Sequence, residues 1–136
     1  QRERAFALFY LDIDFFKQIN DRFGNKCGDA VLRDFVVIAH SVIRRVDFFG
    51  RIGGEEFMLV LPRSTVAEGR EIVERLLQRV RLSRPLAEFP DFSYSCSAGM
   101  TTYRMAESAD DVFMRADQAL YAAKEKGRDR LLAVTV

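Results

Sequence analysis

The chain contains 136 residues, 49% of them hydrophobic, so it is long enough for one domain with a core and too short for two. Its 21 Lys and Arg side chains nearly balance 20 Asp and Glu, and the net charge of +1 provides no broad field of the kind that nucleic-acid binding or adhesion to an anionic membrane relies on. The two cysteines form no CxxC pair and His40 is the only histidine, which argues against a zinc site or a disulfide framework.

We expect neither a membrane-spanning segment nor a signal peptide in residues 1–136. No apolar run approaches the ~20 residues that a bilayer-spanning helix needs, and acidic residues interrupt the first hydrophobic stretch too early for a signal peptide. We therefore expect a cytoplasmic domain without nucleic-acid or membrane contact, in a full-length protein that could itself be membrane-anchored. Because a strand-like run begins almost at once, we interpret residues 1–136 as an N-terminally truncated fragment that has lost a sensor or regulatory module.

The first half of the chain begins with a strand and continues into a helix. Residues 5–13 are β-rich and apolar on both faces and end in Asp12 and Asp14, as expected of a buried central strand that delivers carboxylates to a sheet edge. Residues 15–28 form a turn-rich stretch. Apolar residues then recur at helical spacing and predict an amphipathic helix with one buried stripe: Val31, Leu32, Phe35, Val36, Ala39, Val42, Ile43 and Val46.

The second half begins with a β-hairpin. Apolar runs at 48–52 and 56–61 flank Gly53, Gly54 and Glu55, and paired glycines permit the positive φ angles of tight hairpin turns. Thr65 with Glu68 fits a capping box, which predicts a helix that ends near Leu82. The remaining elements are a strand at 93–103, a helix at 110–126 closed by Gly127, and a last strand at 131–136.

The order of these elements predicts an α+β fold. The first six match the ferredoxin-like, or palm-type, βαββαβ core, in which a mostly antiparallel sheet carries helices on one face, and an extra helix and strand follow at the C-terminus. In that topology the end of the first strand lies beside the hairpin, so Asp12 and Glu55 could meet. Carboxylates and backbone carbonyls are hard oxygen ligands that hold magnesium against nucleotide phosphates.

Three sequence signatures point to one family. They are LDIDFFKQINDRFGNKCGD from Leu11 to Asp29, RIGGEEF from Arg51 to Phe57, and ADQALYAAKEKGR from Ala116 to Arg128. Together, and in this order, they closely resemble the GGDEF domains of diguanylate cyclases, in the GGEEF variant. The resemblance implies an enzyme that condenses two GTP molecules into cyclic di-GMP and two pyrophosphates.

The resemblance also implies roles for individual residues. Asp12 and Glu55 correspond to side-chain ligands of magnesium or manganese, two ions per GTP, and Ile13 to a ligand through its carbonyl oxygen. Glu55 is also the expected base for the attacking 3′-hydroxyl, and Lys17 is expected to steady the transition state. Eight further residues match substrate contacts: Phe15, Phe16, Asn20, Asp29, Gly53, Gly54, Lys124 and Arg128.

These substrate contacts have a chemical rationale. The negative charge of the triphosphate must be neutralised before an oxygen nucleophile attacks it. Cations and backbone amides provide this neutralisation. A carboxylate such as that of Asp29 accepts the N1 and N2 protons of guanine, which adenine does not offer, so GTP is the expected substrate.

The rings of Phe15 and Phe16 are expected in the core, with only their amides towards the ligand. Asp14 is expected to hydrogen-bond the local turn.

An RxxD motif precedes the hairpin. Arg44 and Asp47 are placed as in family members whose product binds back and inhibits them, with Arg75 as a third contact, and an arginine fork suits phosphate and guanine edges alike. The alternative is an ordinary solvated arginine face.

The family mechanism requires two domains that face each other as a homodimer, each with one GTP. A catalytically weak receptor for GTP or cyclic di-GMP is the main alternative, and another nucleotidyl cyclase or a polymerase-like palm is a third. The intact catalytic residues argue against the receptor, and the guanine-reading pair against the other cyclases.

Overall fold

The computed structural model of the chain describes residues 6–103 and 106–134. The elements in chain order are β1 (Phe6–Ile13), α1 (Phe16–Phe23), α2 (Asn25–Val42), β2 (Phe48–Gly53), β3 (Glu56–Pro62), α3 (Val66–Leu82), β4 (Cys96–Thr102), α4 (Ala109–Glu125) and β5 (Leu131–Ala133). Position 5 of the predicted first strand and positions 135 and 136 of the predicted last strand lie outside the described residues. Within the described ranges, no helix is long and apolar enough to cross a membrane.

The region between β1 and β2 differs from its prediction. The stretch 15–28, predicted to be turn-rich, contains the whole of α1 and the first turn of α2. Ile19 is buried, and Phe16 and Phe23 pack against the core, so apolar contacts stabilise α1. The helix was not predicted because most of its residues are polar. The buried stripe predicted for α2 extends too far along the chain. The helix ends at Val42, the backbone at Ile43 is extended, and Val46 is 67% exposed.

The sheet confirms the predicted topology. Its strand order is β2-β3-β1-β4-β5, with β1 central and antiparallel to both β3 and β4, while β4 and β5 run parallel. This is the ferredoxin-like strand order with one added strand. The predicted strand at 93–103 is shorter than expected, since β4 begins only at Cys96.

The helices of the six-element core pack on one face of the sheet, as predicted, and the added helix α4 covers the other face. Alternate β1 residues point to opposite sides. Phe9 and Leu11 join the larger core beneath α2 and α3, and Leu8 and Tyr10 join a smaller cluster beneath α4. The predicted capping box of α3 is confirmed, because Thr65 and Glu68 exchange side-chain and backbone hydrogen bonds. The C-terminal end of β1 therefore opens between the hairpin and the end of α4.

Candidate active site

The end of β1 and the β2–β3 hairpin form one side of a cleft. Asp12 pairs with Glu56 across the two strands, and the Ile13 N–H donates to the Glu55 carbonyl at 3.2 Å. This register brings Glu55 beside Asp12, as predicted. The cleft has a volume of about 190 Å³, and nine residues line it: Asp12, Ile13, Phe15, Phe16, Lys17, Gln18, Glu55, Lys124 and Arg128.

Asp12 is a buried carboxylate with incomplete pairing. It is 4% exposed, and the ammonium group of Lys124 contacts its Oδ2 atom. Its Oδ1 atom is buried and has no hydrogen-bond partner among the described residues. Burial raises the pKa of Asp12 above its ordinary value, the hydrogen bond and charge of Lys124 oppose that shift, and the charges of Glu55 and Glu56 add to it. The ionised form of Asp12 is thus short of positive charge.

These oxygens fit a hard divalent cation. Magnesium prefers oxygen donors, and three are available here: the Asp12 Oδ1 atom, which has no partner in the described part of the chain, the neighbouring carboxylate of Glu55 and the carbonyl of Ile13. Among residues 6–103 and 106–134, no group of three or more His, Cys, Asp or Glu could hold a metal ion alone. A site of this kind is completed by substrate phosphates, as is common for magnesium.

The hairpin turn leaves room beside the carboxylates. Gly54 has a φ of 54°, which residues with a Cβ rarely adopt, and the side chain of Arg51 closes the turn by donating to the Gly54 carbonyl at 2.8 Å. Apart from the adjacent residues, no atom of the described residues lies within 4 Å of a Cβ built on Gly53 or Gly54. Only Gly54 uses the positive φ that was predicted for the glycine pair, while both leave open space that a phosphate chain could enter.

Three cationic side chains line the cleft. Lys124 is anchored on Asp12, whereas the side chain of Lys17 is 87% exposed and lies 3.8 Å from Asp21. Arg128 lies with its guanidinium carbon 4.9 Å from the centre of the Phe15 ring. Lys17 is therefore free to reach a ligand, while Lys124 and Arg128 are already positioned.

The Phe15 ring does not lie in the core, which corrects that prediction. Phe15 is 55% exposed because its backbone is left-handed, with φ 56° and ψ 33°, and this turns the ring outwards under Arg128. Phe16, one residue later, packs against the core as predicted.

The predicted guanine-reading residues are Asn20, on α1, and Asp29, just after the first turn of α2. A Cβ built on Gly28 would come within 1.7 Å of the Asn20 Oδ1 atom, so only glycine lets Asn20 pack against α2 at this point. The arrangement places Asn20 beside the residue that precedes Asp29, which is exposed. Gly28 was missed as a site residue, although a glycine inside a helix is a sequence signal of close approach.

Asp14 does not make the local hydrogen bonds that were predicted for it. Its carboxylate accepts hydrogen bonds from the side chains of Ser95 and Ser97 and from the backbone of Asp129, all distant in sequence. Asp14 does not line the cleft.

The RxxD residues lie in the turn between α2 and β2. The Arg44 Nη2 atom donates to Asp47 at 2.8 Å, to Ser64 at 2.8 Å and to the Pro62 carbonyl at 3.0 Å, and the side chain of Asp47 is fully buried. Arg44 and Asp47 line a separate hollow of about 430 Å³. Arg75 is exposed on α3 and, in the described part of the chain, is absent from the lining of this hollow.

The comparison with a protein-family model decides the family. A model described as diguanylate cyclase, GGDEF domain, matches residues 1–130. The chain belongs to the GGDEF domain family. This GGDEF domain is 44% identical over 124 residues to diguanylate cyclase DgcP of Pseudomonas aeruginosa, a match that covers 91% of the chain and 18% of the relative. It is 36% identical over 129 residues to diguanylate cyclase DgcS of Shewanella oneidensis, covering 95% of the chain and 42% of the relative. The chain thus spans less than half the length of these curated relatives.

Solved structures share the fold of this GGDEF domain. Diguanylate cyclase SiaD of Pseudomonas aeruginosa, in complex with its activator SiaC, superposes with a TM-score of 0.92 at 37% identity, over 96% of this chain and 50% of that one. The active GGEEF domain of a diguanylate cyclase from Vibrio cholerae gives 0.89 at 34% identity, over 96% and 83%. The GGDEF domain of DgcB from Caulobacter crescentus, in complex with c-di-GMP, gives 0.90 at 32% identity, over 95% and 77%.

Proposed function

We propose that this GGDEF domain is a diguanylate cyclase, which joins two GTP molecules into cyclic di-GMP and releases two pyrophosphates. The observation that carries the proposal is the cleft in which Asp12 lies beside Glu55, Lys124 and Arg128, with one carboxylate oxygen that no described residue binds. Relatives named diguanylate cyclase and the likeness to an active GGEEF domain support it.

The metal is magnesium or manganese, two ions for each GTP, with Asp12, Glu55 and the Ile13 carbonyl as the protein ligands. When bound, such a cation neutralises phosphate charge and makes the α-phosphorus more open to attack. The shortage of positive charge at Asp12 supports this assignment.

Separate residues of the cleft carry out proton transfer, phosphate binding and guanine recognition. Glu55 takes the proton of the 3′-hydroxyl as that oxygen bonds to the α-phosphorus of the second GTP, and the bond from that phosphorus to pyrophosphate breaks. Lys124 and Arg128 hold phosphate charge, while the exposed Lys17 closes on the triphosphate and steadies the transition state. The amides of Phe15 and Phe16 and the space above Gly53 and Gly54 admit the phosphates. Asn20 and Asp29 read guanine.

The reaction needs two such domains. Each 3′-oxygen attacks the other GTP, so two clefts must face each other in a homodimer, and catalysis is then mainly positioning. The cleft is open at the mouth, where Lys17 is 87% exposed, which leaves access for a partner domain.

Regulation belongs to the same proposal. Cyclic di-GMP binds back at Arg44 and Asp47, with Arg75 helping, and inhibits. A sensor or regulatory module elsewhere in a longer cytoplasmic or membrane-anchored protein controls dimer formation. The complex of SiaD with its activator SiaC supports regulation by a protein partner.

The direct test is incubation of the chain with GTP and magnesium, followed by chromatography of the products. We expect cyclic di-GMP and pyrophosphate, and neither with ATP in place of GTP. Recovery of unchanged GTP at all protein concentrations would contradict the proposal.

A further inference from the structure

Two loops with left-handed backbone meet beside the cleft. The β1–α1 turn passes through Phe15 at a φ of 56°, and the α4–β5 loop passes through Arg128 at 64° and Asp129 at 50°. Residues with a Cβ adopt this region only where surrounding contacts hold them there, and such positions cluster at functional sites. Some contact must therefore hold these two loops in place.

Arg81 binds the side chain and the carbonyl of Asp129, and Asp14 contacts both loops. The side chain of Asp14 is fully buried, and both of its oxygens are used. Oδ1 accepts from the Ser97 hydroxyl at 2.6 Å, and Oδ2 accepts from the Ser95 hydroxyl at 2.6 Å and from the backbone N–H of Asp129 at 3.0 Å. The Asp129 N–H also lies 3.2 Å from the Ser97 hydroxyl. One carboxylate thus ties the β1–α1 turn to β4 and to the α4–β5 loop.

Asp14 also lies close to Arg128 and Phe15. The Arg128 Nη1 atom lies 3.9 Å from Asp14 Oδ1, and the guanidinium stacks 4.9 Å from the centre of the exposed Phe15 ring. Asp14 therefore holds the backbone on both sides of this stack, through Asp129 and through the turn that carries Phe15. Arg128 and Phe15 line the cleft, whereas Asp14 does not.

We propose that Asp14 is a positioning residue for nucleotide binding, which fixes the α4–β5 loop so that Arg128 meets the GTP phosphates. This inference rests on the proposed function, because it takes Arg128 as a phosphate contact. Asp14 touches no substrate itself and acts only through Arg128.

Asp34 provides a matched control. Its Oδ2 atom also accepts two side-chain hydroxyl bonds, from Ser83 at 2.7 Å and from Tyr94 at 2.8 Å, but it does not line the cleft. Asp34→Asn and Asp14→Asn thus make the same chemical change to a carboxylate that binds two hydroxyls. Because Asp34 is half-buried and Asp14 is buried, circular dichroism and thermal unfolding should accompany both variants, so that a loss of stability is distinguished from a loss of binding.

The test is a double-mutant cycle on the affinity for 3′-deoxy-GTP with magnesium, measured by calorimetry. This nucleotide lacks the attacking hydroxyl and cannot be turned over. We expect Asp14→Asn to weaken binding roughly tenfold. In the Arg128→Ala background the same change should weaken it less than about twofold, because the residue it positions is gone. Asp34→Asn should stay within about twofold of wild type. Wild-type affinity in Asp14→Asn, or an equal tenfold loss in both backgrounds, would overturn the proposal.

A second variant covers the case in which Asp14→Asn does not fold. Ser95→Ala removes one hydroxyl from Asp14 and leaves its charge, and we expect roughly threefold weaker binding that also vanishes in the Arg128→Ala background. An effect that persists there would count against the role of Asp14. The proposed function fails separately, if the wild type makes no cyclic di-GMP from GTP, since binding of 3′-deoxy-GTP does not depend on turnover.

Discussion

The cleft beside β1 and the RxxD turn after α2 both carry predicted site residues, and each contains a buried carboxylate. The two carboxylates differ in how fully they are paired. In the cleft, a buried oxygen of Asp12 has no hydrogen-bond partner among the described residues, and Glu55 brings further negative charge to it. In the turn, the buried carboxylate of Asp47 is bonded to the side chain and to the backbone N–H of Arg44. The comparison teaches that the cleft gains from an added cation, whereas the turn is electrostatically complete before any ligand arrives.

The largest expected effect is on turnover. Asp12→Asn or Glu55→Gln removes a negative ligand from the proposed metal site, and we expect the rate of cyclic di-GMP formation to fall by about a thousandfold or more. Glu71→Gln, a change of the same kind on the exposed side of α3, should leave the rate unchanged. Circular dichroism verifies the fold of each variant. Near-normal turnover in a folded Asp12→Asn or Glu55→Gln protein would show that the metal assignment is wrong.

The next effect concerns the RxxD turn. If cyclic di-GMP binds there, Arg44→Ala removes a charge-assisted contact worth about 1.5–3 kcal/mol, or roughly ten- to a hundredfold in affinity. Arg33, which is exposed on α2 and is not among the residues that line the hollow at this turn, gives the control variant Arg33→Ala, which should bind product normally. Calorimetric titration of cyclic di-GMP compares the three proteins. Equal affinities for wild type and Arg44→Ala would show that cyclic di-GMP does not bind at Arg44, and that Arg44 belongs to an ordinary solvated arginine face.

A smaller effect is expected on base selectivity. Gly28→Ala would push a methyl group into the space that the Asn20 side chain fills, so Asn20 must move away from its position beside α2. We expect the preference for GTP over ATP in binding to fall by roughly tenfold, the worth of one hydrogen bond to a buried partner. Asn20→Ala should give a loss of similar size. Unchanged selectivity in both variants would exclude Asn20 from the guanine pocket.

The smallest effect is on stability. The change in Tm is expected to have one sign for a variant in the cleft and the opposite sign for a variant in the RxxD turn. The pKa of Asp12 is raised in the fold, so its carboxyl group contributes stability below its ordinary pKa of about 4 and loses that contribution as pH rises through the raised value. At pH 7 and without divalent cations, Asp12→Asn should therefore raise Tm by about 4 °C, and the gain should shrink towards pH 4.

Arg44→Ala should do the reverse. It leaves the buried Asp47 carboxylate without its arginine, so we expect Tm at pH 7 to fall by about 4 °C. Thermal unfolding followed by circular dichroism in a chelating buffer measures both variants. If Asp12→Asn lowered Tm at pH 7, the cleft would not be short of positive charge.

Sequence patterns predicted the parts of the fold that depend on local chemistry. The β2–β3 hairpin followed from its glycines and α3 from its capping box, and both are present. The first turn of α2 and the whole of α1 were missed because their buried contacts come from a few residues such as Ile19, set among polar residues typical of loops. Tertiary burial, rather than propensity, makes these helices.

The sequence motifs predicted which residues belong to the candidate site. They did not predict side-chain orientations and partners that depend on the backbone conformation and on distant segments. The register of β1 against β3 brings Asp12 and Glu55 together as expected. The outward turn of the Phe15 ring depends on one left-handed residue, and the partners of Asp14 come from β4 and the α4–β5 loop. Neither feature has a signal in the local sequence, since both arise from contacts between distant segments.

The dependence of specific activity on protein concentration tests the central claim most directly, because the cleft is proposed to be half of a site that two domains complete. Cyclic di-GMP formation from GTP and magnesium should be followed by chromatography over a hundredfold dilution series, with the association state measured by sedimentation. The account predicts that product formed per domain rises with protein concentration as dimers appear. A specific activity that stays flat across the series, in a protein that sediments as a monomer, would contradict it.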